Sequence, residues 1–285
     1  MVRSAYSVAE LLQAATRSLA QIDSPRLTAE ALLAHTLGLS RTQLLSRDTA
    51  APSPESMEAF EALVRRAATG EPLAYLTGRR EFHGLDLAVN PQVLVPRPET
   101  ELLVDEALRF LAPQTTEQRV LDVGTGSGCI AVTIAAKCPA ASVTAVDVTD
   151  EALAVARANA TRHNVARRIA FFKSDLLSAL RLLPSNFNLL CANLPYIASD
   201  ELRTLPVIKH EPRLALDGGP DGLLWVRRLL VDAPRVMAPH GWLLLEIGAT
   251  QGQAAAALAQ AAFPSAQVAV LKDYAGLDRI VRVKT

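Results

Sequence analysis

Val120-Leu121-Asp122-Val123-Gly124-Thr125-Gly126-Ser127-Gly128 decides the fold. An apolar segment short enough for a buried strand runs straight into alternating glycines, and a helical pattern follows to Lys137. Glycines at such a turn let the backbone bend sharply and a ligand approach without Cβ interference. The helix that follows offers N–H groups at its start. A second strand is expected over Ser142 to Val146, ending in Asp147. A carboxylate at that position can hold both hydroxyls of a ribose, as in dinucleotide folds. Strand, glycine turn, helix, strand and aspartate in that order point to an adenosine-containing cofactor. The alternative is a tight turn feeding a capped helix. Cys129 stands where Gly-x-Gly-x-x-Gly requires its third glycine. That departure weakens a pyrophosphate reading and favours S-adenosylmethionine, which carries no phosphate.

Downstream, strands keep alternating with helices, which predicts an α/β domain with a mostly parallel sheet. Thr149 caps a helix with Asp150 and Glu151 in its first turn, and Ile169 to Phe172 reads as a third strand leading to Ser174-Asp175-Leu176. Asp175 could accept a hydrogen bond from an adenine amino group or simply sit in a surface turn. A fourth strand, Phe187 to Ala192, follows the turn formers Pro184, Ser185 and Asn186 and delivers Asn193-Leu194-Pro195-Tyr196. Open parallel sheets bind ligands beyond the carboxyl ends of their strands. There, Asn193 Oδ1 and the Leu194 carbonyl can accept the two N–H bonds of a flat amino or amide group while Tyr196 covers its face. The plain alternative is a strand that turns at Pro195 and exposes a tyrosine. After a loop rich in proline and glycine (206–222) come a helix near 223–237, a strand over Trp242 to Ile247, a helix over Gln251 to Ala262 and two last strands. Glu246 reads as a structural strand-end carboxylate rather than a base.

Upstream, the front third is helical. Ser7 to Glu10 fits a capping box, Ser24-Pro25 and Ser53-Pro54 supply N-caps with proline at the first helical position, and Ser40 to Gln43 is another box. Gly70 is a plausible stop. Such short amphipathic helices cannot bury their stripes singly, so a small bundle is expected. Between Gly70 and Pro98 prolines and glycines interrupt any helix, and Glu81-Phe82-His83 can pair with Leu85 to Val89 as a hairpin across Gly84. His83 has no evident partner and reads as structural.

The 285 residues carry 29 basic and 29 acidic side chains, so no net field draws the protein to nucleic acid. Three cysteines and five scattered histidines lack metal-ligand spacing, which argues against a zinc site or a disulfide framework. No apolar run approaches a membrane span and the N-terminus lacks a signal pattern, so a cytoplasmic protein is expected.

The chain resembles the HemK/PrmC family of S-adenosylmethionine-dependent methyltransferases, which modify a glutamine side chain of class I peptide-chain release factors. The segments that carry the resemblance are Gly70 to Tyr75 with Gly78, Glu81 and Phe82; Val95 to Glu101; Asp122 to Ala131; Glu211-Pro212; and Asp217 to Leu223. The resemblance implies a helical bundle over 1–77 for release-factor recognition, a hairpin linker over 78–97 and a seven-stranded methyltransferase domain over 98–285. It implies cofactor contacts from Gly124, Thr125, Gly126, Ser127, Gly128, Asp147, Asp175, Leu176 and Asn193, with S-adenosylhomocysteine as product. Asn193, Leu194, Pro195 and Tyr196 would hold the glutamine amide, and Asn193, Pro195 and Tyr196 would serve catalysis. No direct nucleic-acid contact is required. The family usually has Asn-Pro-Pro-Tyr, so Leu194 costs the loop some rigidity; Leu176 stands where some members carry tryptophan. Asn-Leu-Pro-Tyr also occurs in adenine N6-methyltransferases, which makes an RNA or DNA adenine the first rival substrate. A non-catalytic release-factor or ribosome-binding protein is the rival of another class, and a nicotinamide-dependent reductase a distant third.

Overall fold

A capping box opens the first helix: the Ser7 hydroxyl accepts from the Glu10 N–H at 3.3 Å, and the Glu10 carboxylate accepts from the Ser7 N–H at 2.8 Å. The computed structural model describes residues 7–46, 52–180 and 186–285, so Pro184 and Ser185 lie outside the described residues. The chain divides into two compact units, Met1–Gly78 and Arg79–Thr285.

The first unit holds α1 (Val8–Ser18), α2 (Pro25–Thr36), α3 (Arg41–Ser46), α4 (Pro54–Ala68) and α5 (Leu73–Thr77). Their apolar stripes meet in one core around Leu12, Leu19, Leu32, Leu33 and Phe60. Ser40 and Gln43 make the expected box, and Ser53 caps α4 through the Ser56 N–H. Ser24 departs from expectation. It precedes Pro25 but takes a left-handed conformation (φ 54°), and its side chain makes no capping bond. A side chain reaches the N2 and N3 amides from extended backbone, and the left-handed turn denies it that position. The short α5 is a second departure. Pro72 starts this helix rather than breaking it, because a fixed φ suits the N-terminal turn, and Gly78 (φ 71°) closes it. Within the unit, Glu30 is buried yet ion-paired to Arg26 at 2.6 Å and Arg41 at 2.7 Å.

The second unit begins with a hairpin, β1 (Arg79–Phe82) and β2 (Leu85–Ala88), paired so that Phe82 faces Leu85. The two-residue turn His83-Gly84 has positive φ at both positions, the conformation that matches strand twist. His83 Nε2 lies 2.9 Å from Asp105, a structural contact. The rest runs α6 (Thr100–Leu111), β3 (Gln118–Val123), α7 (Cys129–Lys137), β4 (Ala141–Asp147), α8 (Asp150–Arg162), β5 (Ile169–Lys173), β6 (Phe187–Ala192), α9 (Ser199–Leu202), α10 (Leu224–Val236), β7 (Met237–Glu246), α11 (Gly252–Ala262), β8 (Gln267–Lys272) and β9 (Asp278–Lys284). The seven-stranded sheet has the order β5-β4-β3-β6-β7-β9-β8, with only β9 antiparallel to its neighbours.

Both sheet faces are covered, which is why the central strands read as continuous apolar runs. In β6, Leu189 and Cys191 pack toward the layer of α6 and α7, whereas Leu190 and Ala192 pack toward α10 and α11. The chain winds outward from β3 to β5 and then returns to lay β6 on the other side of β3. That reversal leaves a crevice between the tips of β3 and β6, the place where open α/β sheets take ligands.

Candidate active site

Register sets the site. Val123 pairs with Ala192, so Gly124 and Asn193, the next residues of two adjacent parallel strands, leave the sheet side by side. A cavity of about 450 Å³ opens there, within the range of small-ligand pockets. Its lining includes Gly124, Thr125, Gly126, Ser127, Asp147, Asp175, Leu176, Asn193, Leu194 and Pro195. Twelve positions were expected at the two subsites; Gly128 and Tyr196 are the two that do not line this cavity.

Gly128 has a packing role. An added Cβ would stand 3.1 Å from the Ala156 Cβ and 3.2 Å from Val132, so the residue lets α8 approach the start of α7. The two other loop glycines also have positive φ, and the Gly126 N–H donates to Asp147 Oδ2 at 2.9 Å. Asp147 Oδ1 accepts from the Thr149 N–H at 3.2 Å, so the carboxylate is fixed by the loop it faces. Its remaining lone pairs suit ribose hydroxyls.

Beneath the turn, buried Asp122 accepts from the Thr125 hydroxyl at 2.6 Å and the Ala131 N–H at 3.2 Å, so one amide at the start of α7 is already taken. Its other oxygen has no partner among the described residues. Burial pushes the Asp122 carboxyl up to about 7 against the pull of those two bonds.

Asp175 is half-exposed and pairs with Arg228 at 2.7 Å. Leu176, beside it, adopts φ 50°. Trp225 of α10 lines the same cavity, held by an indole N–H bond to the Asp217 carbonyl at 2.8 Å and covered by the Arg228 guanidinium at 5.0 Å. An aromatic face is therefore present although Leu176 does not supply it.

On the β6 side, Asn193 Nδ2 donates to the Thr100 hydroxyl at 3.0 Å. Neither Asn193 Oδ1 nor the Leu194 carbonyl has a hydrogen-bond partner among the described residues. Leu194 is buried, and its Cδ2 would lie 3.1 Å from a Cβ added at Gly124. Burial against the glycine turn thus anchors the residue where a proline would have stiffened it.

Tyr196 lies apart from the cofactor-side cavity, next to Gly248 beyond β7, half-buried. Its hydroxyl is pushed up to about 12, first by burial and then by the charge of Glu246. Its carbonyl accepts from Gln251 Nε2 at 2.8 Å. A Cβ on Gly222 would collide with that same carbonyl oxygen, so the turn after Asp217 closes on the strand tip only with glycine there. The 206–222 segment is ordered rather than a plain loop: Ile197 and Asp217 form a parallel bridge, and the Ser199 hydroxyl donates to Asp217 at 2.6 Å.

Three positioning contacts were given no role by the sequence pattern, although two of them fall in segments that carry the family resemblance, Val95 to Glu101 and Glu211-Pro212. Asn159 of α8, fully buried, binds both the N–H and the carbonyl of Ala88 and donates to the Ser127 carbonyl at 2.8 Å, joining hairpin, helix and glycine turn. Glu211 accepts from the Val95 N–H and from Arg97 at 2.5 Å, and Arg97 lines the cavity. Thr100, 1% exposed, receives the Asn193 amide.

A doubly wound seven-stranded sheet with a glycine turn and a strand-end asparagine at its switch point defines the class I S-adenosylmethionine-dependent methyltransferase fold. Residues 10–78 match the PrmC N-terminal domain family and residues 100–212 the methyltransferase small domain family. Two curated relatives named release factor glutamine methyltransferase bear this out across the chain. That of Nitratidesulfovibrio vulgaris is 43% identical over 92% of this chain and 89% of its own. That of Moorella thermoacetica is 44% identical over 90% of each. The chain belongs to the HemK/PrmC family. The N-terminal domain of human METTL16, solved in complex with SAH, has a TM-score of 0.52 at 17% identity over 70% of this chain and 76% of that one, a likeness of fold alone.

Proposed function

We propose that this protein transfers a methyl group from S-adenosylmethionine to the side-chain amide nitrogen of the glutamine in the Gly-Gly-Gln motif of class I release factors, in the cytoplasm. The observation that supports it most is the register Val123 to Ala192, which sets the glycine turn and Asn193 on one cavity wall.

The residues fit the cofactor. The open glycine turn, Asp147 for the ribose hydroxyls, and Asp175, Leu176 and Trp225 for the adenine are the groups that would hold it. When bound, S-adenosylmethionine supplies an electrophilic methyl group.

An amide nitrogen is a poor nucleophile because its lone pair is delocalised into the carbonyl. Asn193 Oδ1 and the Leu194 carbonyl, which have no donor among the described residues, accept the two glutamine N–H bonds and hold the nitrogen facing the glycine turn. The same oxygens stabilise positive charge as it develops on that nitrogen. The methylated amide is cationic and sheds its proton readily, so these residues need only hold and orient. In this reading Tyr196, which does not line the cofactor cavity, covers the planar face of the entering glutamine amide. The helical unit, through residue 77, serves release-factor recognition in this reading, with 78–97 as the hairpin linker to the methyltransferase domain.

The test is label transfer from methyl-labelled S-adenosylmethionine, offered in parallel to a release factor, its Gln→Ala loop variant and ribosomal RNA. Label is expected on the intact factor alone. Label on RNA would move the substrate class to adenine, and cofactor binding without any transfer would indicate a non-catalytic binding protein.

A further inference from the structure

Asn193 presents a problem that its own side chain does not solve. A carboxamide is nearly symmetrical in shape, and a half-turn about its last bond exchanges an acceptor for a donor. With Oδ1 toward the substrate the two N–H bonds are met; with Nδ2 there instead, donor would meet donor. Thr100 does not discriminate between the two orientations, because a hydroxyl can accept from Nδ2 or donate to Oδ1.

A third group can break the tie. Glu246, the last residue of β7, is 1% exposed, and neither carboxylate oxygen has a hydrogen-bond partner among the described residues. The pairing of Ala192 with Leu245 brings Asn193 and Glu246 out of neighbouring strands together. Thr100 stands between the two: its hydroxyl oxygen accepts from Asn193. Thr100 and Asn193 both act on Glu246 in the direction that favours its ionised form. An ionised carboxylate only accepts. It therefore draws the Thr100 proton, leaves the Thr100 oxygen able only to accept, and so selects Nδ2 as the end of Asn193 that points inward.

We propose that Glu246 is a positioning residue that, ionised, fixes the Asn193 carboxamide through Thr100 with Oδ1 presented to the substrate. Protonation reverses the chain: a carboxylic acid donates to Thr100, whose own proton then turns to the Asn193 oxygen. Burial pushes Glu246 up to about 7, so the reversal falls within an accessible range. The other groups acting on it are Arg279 of β9, which favours ionisation, and Glu99 before α6, which opposes it; it interacts in turn with the Tyr196 hydroxyl and the Cys129 thiol. Arg279 does not neutralise it outright, being paired with Asp273 at 3.1 Å. The proposal rests on the methyl-transfer reading for its consequence, not for its geometry.

The experiment has two arms on the full chain. In the first, the side-chain amide resonances of Asn193 are followed by NMR from pH 5.5 to 8.5. They should titrate near neutrality in the unmodified protein and stay flat in Glu246→Gln, which keeps the shape but not the charge. In the second, methyl transfer to a release factor is measured over the same range. The turnover number should rise through one ionisation, fall about ten- to a hundredfold in Glu246→Gln with cofactor affinity unchanged, and lose its pH dependence. Thr100→Val should show the same loss and Thr100→Ser should restore activity. Flat Asn193 resonances in the unmodified protein, or Glu246→Gln with unaltered turnover and pH profile, would overturn the proposal. Titrating resonances with no transfer to any release factor would leave the positioning intact and refute the substrate reading instead.

Discussion

Glu30 of the helical unit and Glu246 of the second unit, two of the four buried glutamates among the described residues, meet opposite treatment. Glu30 of the helical unit is clasped by Arg26 and Arg41, and its carboxyl is held below the usual range, first by the Arg26 bond. Glu246 at the tip of β7 has no ion-pair partner among the described residues, and burial raises its carboxyl to about 7 against the pull of Thr100, Arg279 and Asn193. Burying an unpaired carboxylate oxygen opposes folding, and among the described residues that burden falls on Asp122 and Glu246 at the site end of the sheet. Asp122, also raised to about 7 with one oxygen orphaned, lies under the glycine turn at the same end. Glu106 and Glu211 of the second unit are arginine-paired like Glu30, so the contrast belongs to the strand tips rather than to the unit as a whole.

The contrast can be broken by experiment. The largest effect is expected at Asn193→Ala, where methyl transfer should drop on the order of a hundredfold or more while calorimetry finds cofactor binding nearly unchanged. Equal loss of both would make Asn193 a cofactor-pocket residue and the sheet tip merely structural. Next comes Asn159→Ala, which strips partners from the Ala88 N–H and two carbonyls at once. A loss of about 2–3 kcal/mol in denaturant unfolding is expected, with weaker cofactor binding because Ser127 is released.

Glu30→Gln should cost roughly 1–2 kcal/mol and leave turnover unchanged, since the half-exposed arginines regain water. An altered turnover would show that the helical unit's charge clasp reaches the chemistry.

The smallest effect is one of pH. Asp122 and Glu246 hold their protons in the folded chain to about pH 7, whereas unfolded carboxyls release them near their ordinary values of 3.8 and 4.5. Where the folded state binds more protons, stability falls as pH rises. Their contribution is therefore full below the ordinary values and lost as pH climbs through 7. Glu30 runs the other way, stabilising above its ordinary value and failing on acidification. Melting temperature should drop by a few degrees from pH 5.5 to 8, and the drop should shrink in Glu246→Gln.

What could be read from the residues was whatever is written locally. The glycine turn, Asp147 and the Asn193 to Tyr196 segment sit within a few positions of the strands that position them, and each strand announced itself by an apolar run. The pairings that hold the site could not be read because they join distant positions: Asn159 lies 71 residues from Ala88, and Arg97 lies 114 from Glu211, although Arg97 and Glu211 each sit in a segment that carries the family resemblance. Trp225 read only as part of a helix, since nothing in an α10 pattern says which cavity it will border. Gly128, the last glycine of the turn, also serves packing, since a Cβ there would meet a helix. Spacing alone cannot separate those two demands for a missing Cβ. Ser24 misled for a related reason, as residue type predicts a cap but not the backbone angle that makes it one.

The pairing of β3 with β6 acts as a gauge block for the reaction. Side chains alternate between faces along a strand, so a slip of β6 by one position would turn Asn193 toward the wrong side of the sheet and move it by about 3.3 Å. The span a methyl must cross is thus measured out by the hydrogen-bonded ladder between two buried strands, and neither loop could recalibrate it unaided.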